Sequence, residues 1–314
     1  MAVVAPPVVM SASASWPAMG TTATVLLNGS DPSCGLDLAR RTMRQLEDRW
    51  SRFLPGSDVA RINAAQGRTV PVDAATATLV ADAVAWWQRT GGRFDPTVLA
   101  AVRDAGYVRT FAAGPGPIGT GARVPGCAGI EVDRGATTVC LPRGVGLDLG
   151  GIGKGRAVDL VSGALAAYDG GLVDLGGDLR VWGTAPNRTT GWPIAVEDPR
   201  TATPVALLGL HVGAVATSTT LRRRWQVGGR TAHHLIDPAT GRPVDGELVS
   251  VTVVAGLTTG AEVLAKAAVV SGSIETARRL LDEHDVAALL VPEVGHPVPV
   301  GGFTDLCWAG PEGA

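Results

Sequence analysis

Short apolar runs rich in β-branched residues recur from residue 136 onward, and few helical patterns separate them. These runs are ATTVCLP, GLVDLGGDLRVWG, PIAVED, ALLGLHVGAVATS, LVSVTVVAG and VAALLVPE. Between them the apolar period predicts helices at about residues 155–168, 260–271 and 274–284. A parallel pair of strands needs a crossover connection, usually a helix. Because strands outnumber crossovers, the sequence predicts an α+β fold with a largely antiparallel or mixed sheet core and flanking helices.

The N-terminal third of the chain has a more helical pattern. Residues 35–54 and 74–90 predict helices, and a Gly-Gly pair ends the second one. The first 18 residues carry no basic residue and two adjacent prolines, which favours a flexible N-terminus over a secretory signal. We therefore expect a single domain over residues 19–314, in which a helical part at about residues 35–110 caps the sheet.

Charge and composition argue against several classes of function. With 27 basic and 29 acidic residues the formal net charge is −2, so the chain lacks the positive excess typical of nucleic-acid or anionic-membrane binding. No stretch reaches 18 uninterrupted apolar residues, so no membrane-spanning helix is expected. The four cysteines are far apart and form no CxxC pair, which favours a reducing compartment over a disulfide framework or a zinc site. We expect a cytoplasmic protein that binds neither nucleic acid nor membranes.

The stretch VGLDLGGIGKGRAVDL, residues 145–160, is a candidate ligand-binding loop. It matches neither the Walker phosphate loop, which needs a glycine where Asp148 stands, nor the GxGxxG dinucleotide fingerprint. Glycines let backbone N–H groups approach an anion, the following helix directs its positive end at the loop, and Lys154 adds a full charge. Local chemistry leaves two interpretations open, an anion-binding loop and a tight strand-to-helix turn with a solvated lysine.

Further segments favour the ligand-binding interpretation when they are taken together and in order. They are MGTTATV, SRFLPGSDVARIN, GGRFDPTV, LVDLGGDLR, ATSTT, HHLIDPATGRP and AEVLAKAAVVSG. With LDLGGIGKGRAVD they resemble the ApbE family of flavin transferases from about Met19 to Gly272, and LDLGGIGKG and HHLIDPATGRP are the most specific segments. The resemblance implies an α+β, T-fold-like architecture and an enzyme, an FAD:protein FMN transferase. Such an enzyme moves FMN from FAD onto a Ser or Thr hydroxyl of an acceptor flavoprotein and releases AMP.

The resemblance also implies which residues contact FAD. By their places in the matching segments, these residues are Met19, Phe53, Arg93, Phe94, Asp95, Asp148, Lys154, His234 and Leu235. Phe53 stands where the family usually has a stacking tyrosine, and loss of the hydroxyl keeps the stacking ring. Lys154 is expected near the phosphates.

Cleavage of a pyrophosphate develops negative charge on the leaving AMP and on the transferred phosphoryl group. A nearby cation and a base for the acceptor hydroxyl would therefore supply the catalysis. His234 is the first candidate for the base, followed by Asp95 and Asp237, and Lys154 is the catalytic cation. His233 is the competing histidine, and the sequence leaves open which of the two faces the cleft.

One segment departs from the family pattern. The resemblance implies a magnesium site with a backbone carbonyl at Gly151 and with an Asp and a Thr four residues apart on one helical face. Here Glu262 and Lys266 occupy those two positions. Glutamate keeps an anionic oxygen ligand, whereas a protonated lysine cannot bind a metal ion. Two arrangements follow. Either Lys266 pairs with Glu262 and replaces the ion, or it turns to solvent and leaves a weaker site of Glu262, Gly151 and water.

This departure keeps other functions open beside the transferase. One is an FAD-binding protein, or an FAD pyrophosphatase that uses water as the acceptor. Another is a structural or interaction domain that keeps the fold without binding flavin, against which the intact LDLGGIGKG segment argues.

Overall fold

The structure is a computed structural model, and it describes residues 10–108, 114–117, 119, 121–186, 191–227 and 230–308. The strands are β1 (Met10–Ala18), β2 (Thr21–Gly29), β3 (Val70–Pro71), β4 (Glu131–Asp133), β5 (Thr138–Cys140), β6 (Gly170–Leu175), β7 (Asp178–Gly183), β8 (Trp192–Glu197), β9 (Pro204–Leu210), β10 (Gly213–Thr219), β11 (Arg224–Val227), β12 (Arg230–His233), β13 (Ile236–Asp237), β14 (Arg242–Pro243), β15 (Leu248–Ala255), β16 (Ala287–Pro292) and β17 (Val298–Val300). The helices are α1 (Pro32–Trp50), α2 (Asp58–Ala64), α3 (Ala74–Arg89), α4 (Leu99–Asp104), α5 (Gly153–Ala164), α6 (Thr258–Val270) and α7 (Ile274–Glu283). A short 3-10 helix spans Phe303–Leu306.

The core is one eight-stranded sheet in the order β1, β2, β6, β7, β10, β15, β16 and β17. Each pair of neighbours in this sheet is antiparallel. Small antiparallel sheets are formed by β8 with β9, by β11 with β12, by β13 with β14, and by β3, β5 and β4. The fold is therefore α+β with an antiparallel core, which confirms the sequence prediction.

Side chains alternate across the central strands, so the sheet carries apolar layers on both faces. On β15, Val253 packs in a cluster with α6 and α7, whereas Val254 packs in a cluster with β8, β9 and Phe303. Ala288 and Leu289 on β16 divide in the same way. On the helical side α5 packs between α1 and α6, and α6 also packs against α7. The helices thus cover one face, and the β8–β9 hairpin covers part of the other.

The predicted helices are present with shifted ends. The helix predicted at residues 35–54 is α1, which begins after Asp31, whose side chain accepts the Cys34 N–H, and ends where Ser51 becomes extended. The next one is α3, which begins after Asp73 because the Asp73 carboxylate accepts the Ala75 N–H. The other three predicted helices correspond to α5, α6 and α7.

The prediction of a flexible N-terminus through residue 18 is wrong for residues 10–18. This segment is β1, which pairs with β2 from Met10 opposite Gly29 to Ala18 opposite Thr21. In MSASASWPA, exposed residues alternate with partly buried ones, and most of the side chains are small. This is an edge strand that is largely exposed on one face. The pattern therefore lacks the large apolar residues that mark a buried strand. Residues 1–9 lie outside the described residues.

One end of the sheet gathers the segments that carry the unusual sequence motifs. The β1–β2 turn, the β6–β7 turn and the end of β10 all lie at this end. Residues 148–151, which lead into α5, line the same cavities as these turns. Within the described ranges, no helix combines the length and the apolar character that crossing a bilayer requires.

Candidate active site

Two adjoining cavities open at this end of the sheet. The first, which we call the charged cavity, has a volume of about 510 Å³, and its lining includes Lys154, Asp174, Asp178, His234, Glu262 and Lys266. The second, the aromatic cavity, has a volume of about 550 Å³, and its lining includes Met19, Trp50, Phe53, Tyr107 and Asp148. Gly20, Thr21, Gly150, Lys154 and Arg223 line both cavities. These five residues therefore mark the junction between a space lined by aromatic side chains and a space lined by charged side chains.

Asp148 shapes the loop that precedes α5. Its Oδ1 accepts the N–H of Gly150 at 2.8 Å, and its Oδ2 forms an ion pair with Nε of Arg52 at 2.9 Å. Its own N–H donates to the carbonyl of Pro96 at 2.8 Å. Both charged side chains are largely buried, so the pair anchors the wall of the aromatic cavity.

Arg52 also organises the aromatic rings of this wall. Its guanidinium carbon lies 4.2 Å from the ring centroid of Phe53 and 4.9 Å from that of Tyr107. Phe53 and Tyr107 are in edge contact at 5.8 Å, and Tyr107 lies 5.8 Å from Trp225. Phe53 is thus held by neighbours before any ligand arrives. Sequence reasoning missed Arg52, although it stands next to Phe53 in the segment SRFLPGS.

Glu262 joins α6 to the first turn of α5. Its Oε2 accepts the N–H of Gly155 at 2.7 Å, and its Oε1 accepts from Nζ of Lys154 at 3.0 Å. Lys154 Nζ also contacts Asp178. A Cβ on Gly155 would lie 2.6 Å from the carbonyl oxygen of Thr258, so only glycine lets the two helices approach this closely. The Glu262 carboxylate therefore occupies the anion position at the positive end of α5.

Lys266 lies one turn beyond Glu262 on α6 and reaches across the loop. A Cβ added to Gly151 would lie 2.6 Å from both Cδ and Nζ of Lys266, so the lysine side chain runs over the Gly151 backbone. Burial lowers the pKa of Lys266, and the carboxylates of Asp148 and Glu262 oppose this shift. Within the described part of the chain, no acidic oxygen lies within 4.0 Å of Lys266 Nζ.

The donor set does not fit the magnesium ion that the family resemblance implies. Both oxygens of Glu262 already accept hydrogen bonds, and Lys266 places an ammonium group beside Gly151. Among the residues that the structure describes, no group of three His, Cys, Asp or Glu side chains could hold a metal. Neither of the two placements that the sequence suggested for the Lys266 side chain, paired with Glu262 or turned to solvent, is present. Lys154 rather than Lys266 pairs with Glu262, and Lys266 is buried rather than turned to solvent.

The structure separates the two neighbouring histidines. The ring of His233 is held between the carbonyl of Val244, 3.1 Å from Nε2, and the N–H of Leu235, which donates to Nδ1 at 3.3 Å. His234 instead lines the charged cavity, and its buried Nδ1 has no hydrogen-bond partner in the described chain.

Burial lowers the pKa of His234 well below its usual value, and the positive charges of Arg223 and Lys266 act in the same direction. A neutral imidazole therefore faces the cavity at neutral pH. Leu235, the next residue, is buried and lines the same cavity.

Besides His233, four of the residues singled out in the sequence line neither cavity. Phe94 is 1% exposed and packs in the hydrophobic core, and Arg93 lies just before it. The buried carboxylate of Asp95 accepts from the N–H and the hydroxyl of Thr97, and burial raises its pKa. Asp237 accepts from groups of its own turn. Both acids serve local turns, so neither occupies the position of a base for a ligand in the charged cavity.

Two non-glycine residues that line the cavities have left-handed backbones. Met19 has φ 48° and Arg223 has φ 50°, and Nη2 of Arg223 donates to the carbonyl of Gly20 at 3.4 Å. Such conformations cost about 1 kcal/mol each and cluster at functional sites. Sequence reasoning missed Arg223, and the run of three arginines after the hydroxyl-rich end of β10 was the available signal. It also gave no role to Asp178, which directly follows the Gly-Gly pair in the segment LVDLGGDLR.

Comparisons with known proteins point to one family. A family model described as the ApbE family matches residues 19–290. The FAD:protein FMN transferase of Treponema pallidum (strain Nichols) is 30% identical over 257 residues, which cover 75% of this chain and 70% of that protein. The FAD:protein FMN transferase of Vibrio cholerae serotype O1 is 28% identical over 265 residues, which cover 80% and 77%.

Solved structures are similar over almost the whole chain. The ApbE protein of Thermotoga maritima superposes with a TM-score of 0.86 at 28% identity, covering 95% of this chain and 99% of that one. The flavinyl transferase ApbE of Pseudomonas stutzeri, in its apo form, gives a TM-score of 0.83 at 27% identity and covers 96% and 98%.

Proposed function

The chain belongs to the ApbE family, and we propose that it is an FAD:protein FMN transferase. In the proposed reaction, FMN from FAD becomes joined through a phosphoester to a Ser or Thr hydroxyl of an acceptor flavoprotein. AMP is the second product. FAD is thus a donor substrate that is consumed rather than a resident cofactor.

The observation that carries this proposal is the junction between the two cavities. FAD has a ring system on each side of a pyrophosphate, and the aromatic cavity offers Phe53 and Met19 to one ring system. The charged cavity offers cations and a neutral histidine to the pyrophosphate. Residues that line both cavities, including Lys154 and Arg223, lie where the two parts of a dinucleotide meet. A mononucleotide would leave one of the cavities empty.

The chemistry is a phosphoryl transfer between two oxygens. The acceptor hydroxyl oxygen bonds to the phosphorus of the FMN part, and the bond from this phosphorus to the bridging oxygen breaks. The electron pair of that bond leaves with the AMP phosphate. His234 is the group suited to take the hydroxyl proton, because it faces the cavity as a neutral imidazole. Positive charge beside the phosphates stabilises the charge that develops on the leaving group.

The remaining site residues act by positioning. Asp148 forms an ion pair with Arg52 and holds the loop before α5. Lys154 holds the carboxylates of Glu262 and Asp178 in place. The buried Leu235 follows His234 and lines the same cavity. Contacts of Arg93, Phe94 and Asp95 with FAD stay predictions from the resemblance. No step is assigned to magnesium, because the donor set does not fit that ion. We also propose a cytoplasmic location, which the four free cysteines support, since two of them, Cys34 and Cys307, are exposed thiols.

The experiment that tests the function uses an extract of the cells from which the gene comes. The purified protein is incubated with the extract and FAD, and denaturing gels are inspected for flavin fluorescence that survives denaturation. We expect a fluorescent acceptor band whose mass increases by FMN minus water and whose modified residue is a Ser or Thr. His234→Gln is expected to reduce the band about 100-fold in initial rate, whereas His284→Gln changes a histidine that stacks on Trp86 and should leave it unchanged.

Release of AMP with only free FMN would identify an FAD pyrophosphatase instead. FAD that stays bound and intact, with no band, would identify a flavin-binding relative without the reaction.

A further inference from the structure

We propose that Lys266 is the resident cation for the FAD pyrophosphate in this chain, at the position where the resemblance implies a magnesium ion. The inference rests on the proposed function and names the group that stabilises the transferred phosphoryl charge. It also gives Lys154 a positioning role, in contrast to the sequence prediction that Lys154 meets the phosphates.

Lys154 is already neutralised by protein groups. Its ammonium contacts Asp178 and lies 3.0 Å from Glu262, and the side chains of these two acids are only 3% and 4% exposed. Buried carboxylates are costly to leave without a partner. A phosphate group that recruited Lys154 would have to take it from two buried anions. Lys154 is therefore best suited to hold the acids in place.

Lys266 has the opposite surroundings. Its side chain is buried on α6, yet within the described residues its ammonium has no acidic oxygen inside 4.0 Å. The ammonium lies beside Gly151 and lines the charged cavity together with His234. A buried charge is costly unless it is paired, so a buried cation without an ion-pair partner is suited to bind an anionic ligand. The pyrophosphate of FAD is the ligand of matching charge for this cavity.

Gly151 makes room for this arrangement. Its backbone is outside the left-handed region, so the conformation itself does not require glycine. The requirement is spatial, because a Cβ there would lie 2.6 Å from Cδ and Nζ of Lys266. The backbone position that would bind a metal ion is thus covered by the lysine side chain.

The use of lysine in this sequence supports the same conclusion. Among the 27 Lys and Arg residues only Lys154 and Lys266 are lysine, and both line the charged cavity. Everywhere else the chain uses arginine. An ammonium is a compact charge with three donors on a flexible stem, whereas a guanidinium is a broad planar fork. The space above Gly151 and the contacts with Asp178 and Glu262 therefore call for lysine at these two positions.

Having only two lysines makes a direct binding test possible. Protein labelled with ¹³C-lysine gives two side-chain NMR signals, and the Lys266→Thr spectrum identifies which one belongs to Lys266. We expect FAD, and inorganic pyrophosphate as the smallest probe, to shift the Lys266 signal in the presence of EDTA. A Lys266 signal that stays unchanged at saturating FAD, or that shifts only after magnesium is added, would overturn the proposal.

A rescue experiment separates a charge effect from a packing effect. Lys266→Ala should lower FAD cleavage about 100-fold, and ethylamine should restore part of the rate because its ammonium fits the vacated space. Propane, which has similar size and no charge, should restore nothing. The matched control is Arg279→Ala, which removes an exposed cation from α7 and should leave cleavage unchanged. Equal rescue by both compounds, or none by ethylamine in a folded variant, would contradict the proposed role.

The two proposals fail in different ways. If EDTA abolishes flavin transfer by the wild-type protein, the proposed transferase function stands and the proposed role of Lys266 as the cation is wrong. If the Lys266 signal responds to FAD in EDTA but no acceptor is flavinylated, the role of Lys266 as the cation stands and the transferase function is wrong.

Discussion

Nζ of Lys154 lies 3.0 Å from one oxygen of Glu262, and the N–H of the next residue, Gly155, donates to the other oxygen at 2.7 Å. One carboxylate from α6 thus binds both the side chain and the backbone of the first turn of α5. This contact fixes the loop that precedes α5 and directs Lys266, one turn further along α6, toward Gly151.

Glu262→Gln should destabilise the protein by about 2 kcal/mol, because it replaces a charged acceptor of Lys154 with a neutral one in a buried position. Urea unfolding followed by circular dichroism measures the change. Glu275→Gln is the control, since Glu275 is paired with Arg279 on the surface and should cost less than about 0.5 kcal/mol. Equal effects of the two changes would show that the helix junction does not depend on this carboxylate.

Phe53→Ala should weaken FAD binding about fivefold, since it removes the ring that Arg52 and Tyr107 hold at the aromatic cavity. Quenching of flavin fluorescence on titration with protein gives the dissociation constant. Phe53→Tyr keeps the ring and should bind FAD within about twofold of the wild-type protein. If the tyrosine variant binds as weakly as the alanine variant, ring stacking is not the role of Phe53.

Gly151→Ala should weaken FAD binding by displacing the Lys266 side chain, although the fold should persist because only the flexible end of the lysine has to move. The double variant with Lys266→Thr removes the clash. We therefore expect the two changes to be non-additive in the free energy of FAD binding. Strict additivity in the double-mutant cycle would mean that Gly151 and Lys266 act independently.

The pH dependence of flavin transfer should reflect the neutral His234. A base must be unprotonated to accept the hydroxyl proton, and the surroundings of His234 lower its pKa well below the usual value. The acidic limb of the kcat/KM profile should therefore lie below pH 6.5, so that activity changes little between pH 7 and pH 6. A drop of about threefold over this interval, as an unshifted pKa of about 6.5 gives, would contradict the assignment.

The sequence predicted the parts of the fold that carry a strong local pattern. The helices α1, α3 and α5 to α7 and the antiparallel core follow from apolar periodicity and from the excess of strands. The edge strand β1 was missed because MSASASWPA has small side chains and one largely exposed face, so its pairing with β2 is not visible locally.

The candidate site was partly predictable. Gly151, Lys154, His234, Glu262 and Lys266 were all singled out, and the structure brings them to one cavity. The pairing among them was not predictable, because Lys154 and Glu262 are 108 positions apart in the sequence and only the packing of α5 on α6 joins them. The choice between His233 and His234 likewise depended on which ring the carbonyl of Val244 holds.

The most direct test of the transferase assignment compares two products in one reaction. The protein is incubated with FAD and the fluorescent acceptor purified from the native extract, and AMP and covalently bound flavin are quantified over time. The account predicts that one AMP appears for each flavin attached and that no free FMN accumulates. AMP accompanied by free FMN, with no covalent flavin above the level of the His234→Gln variant, would contradict it.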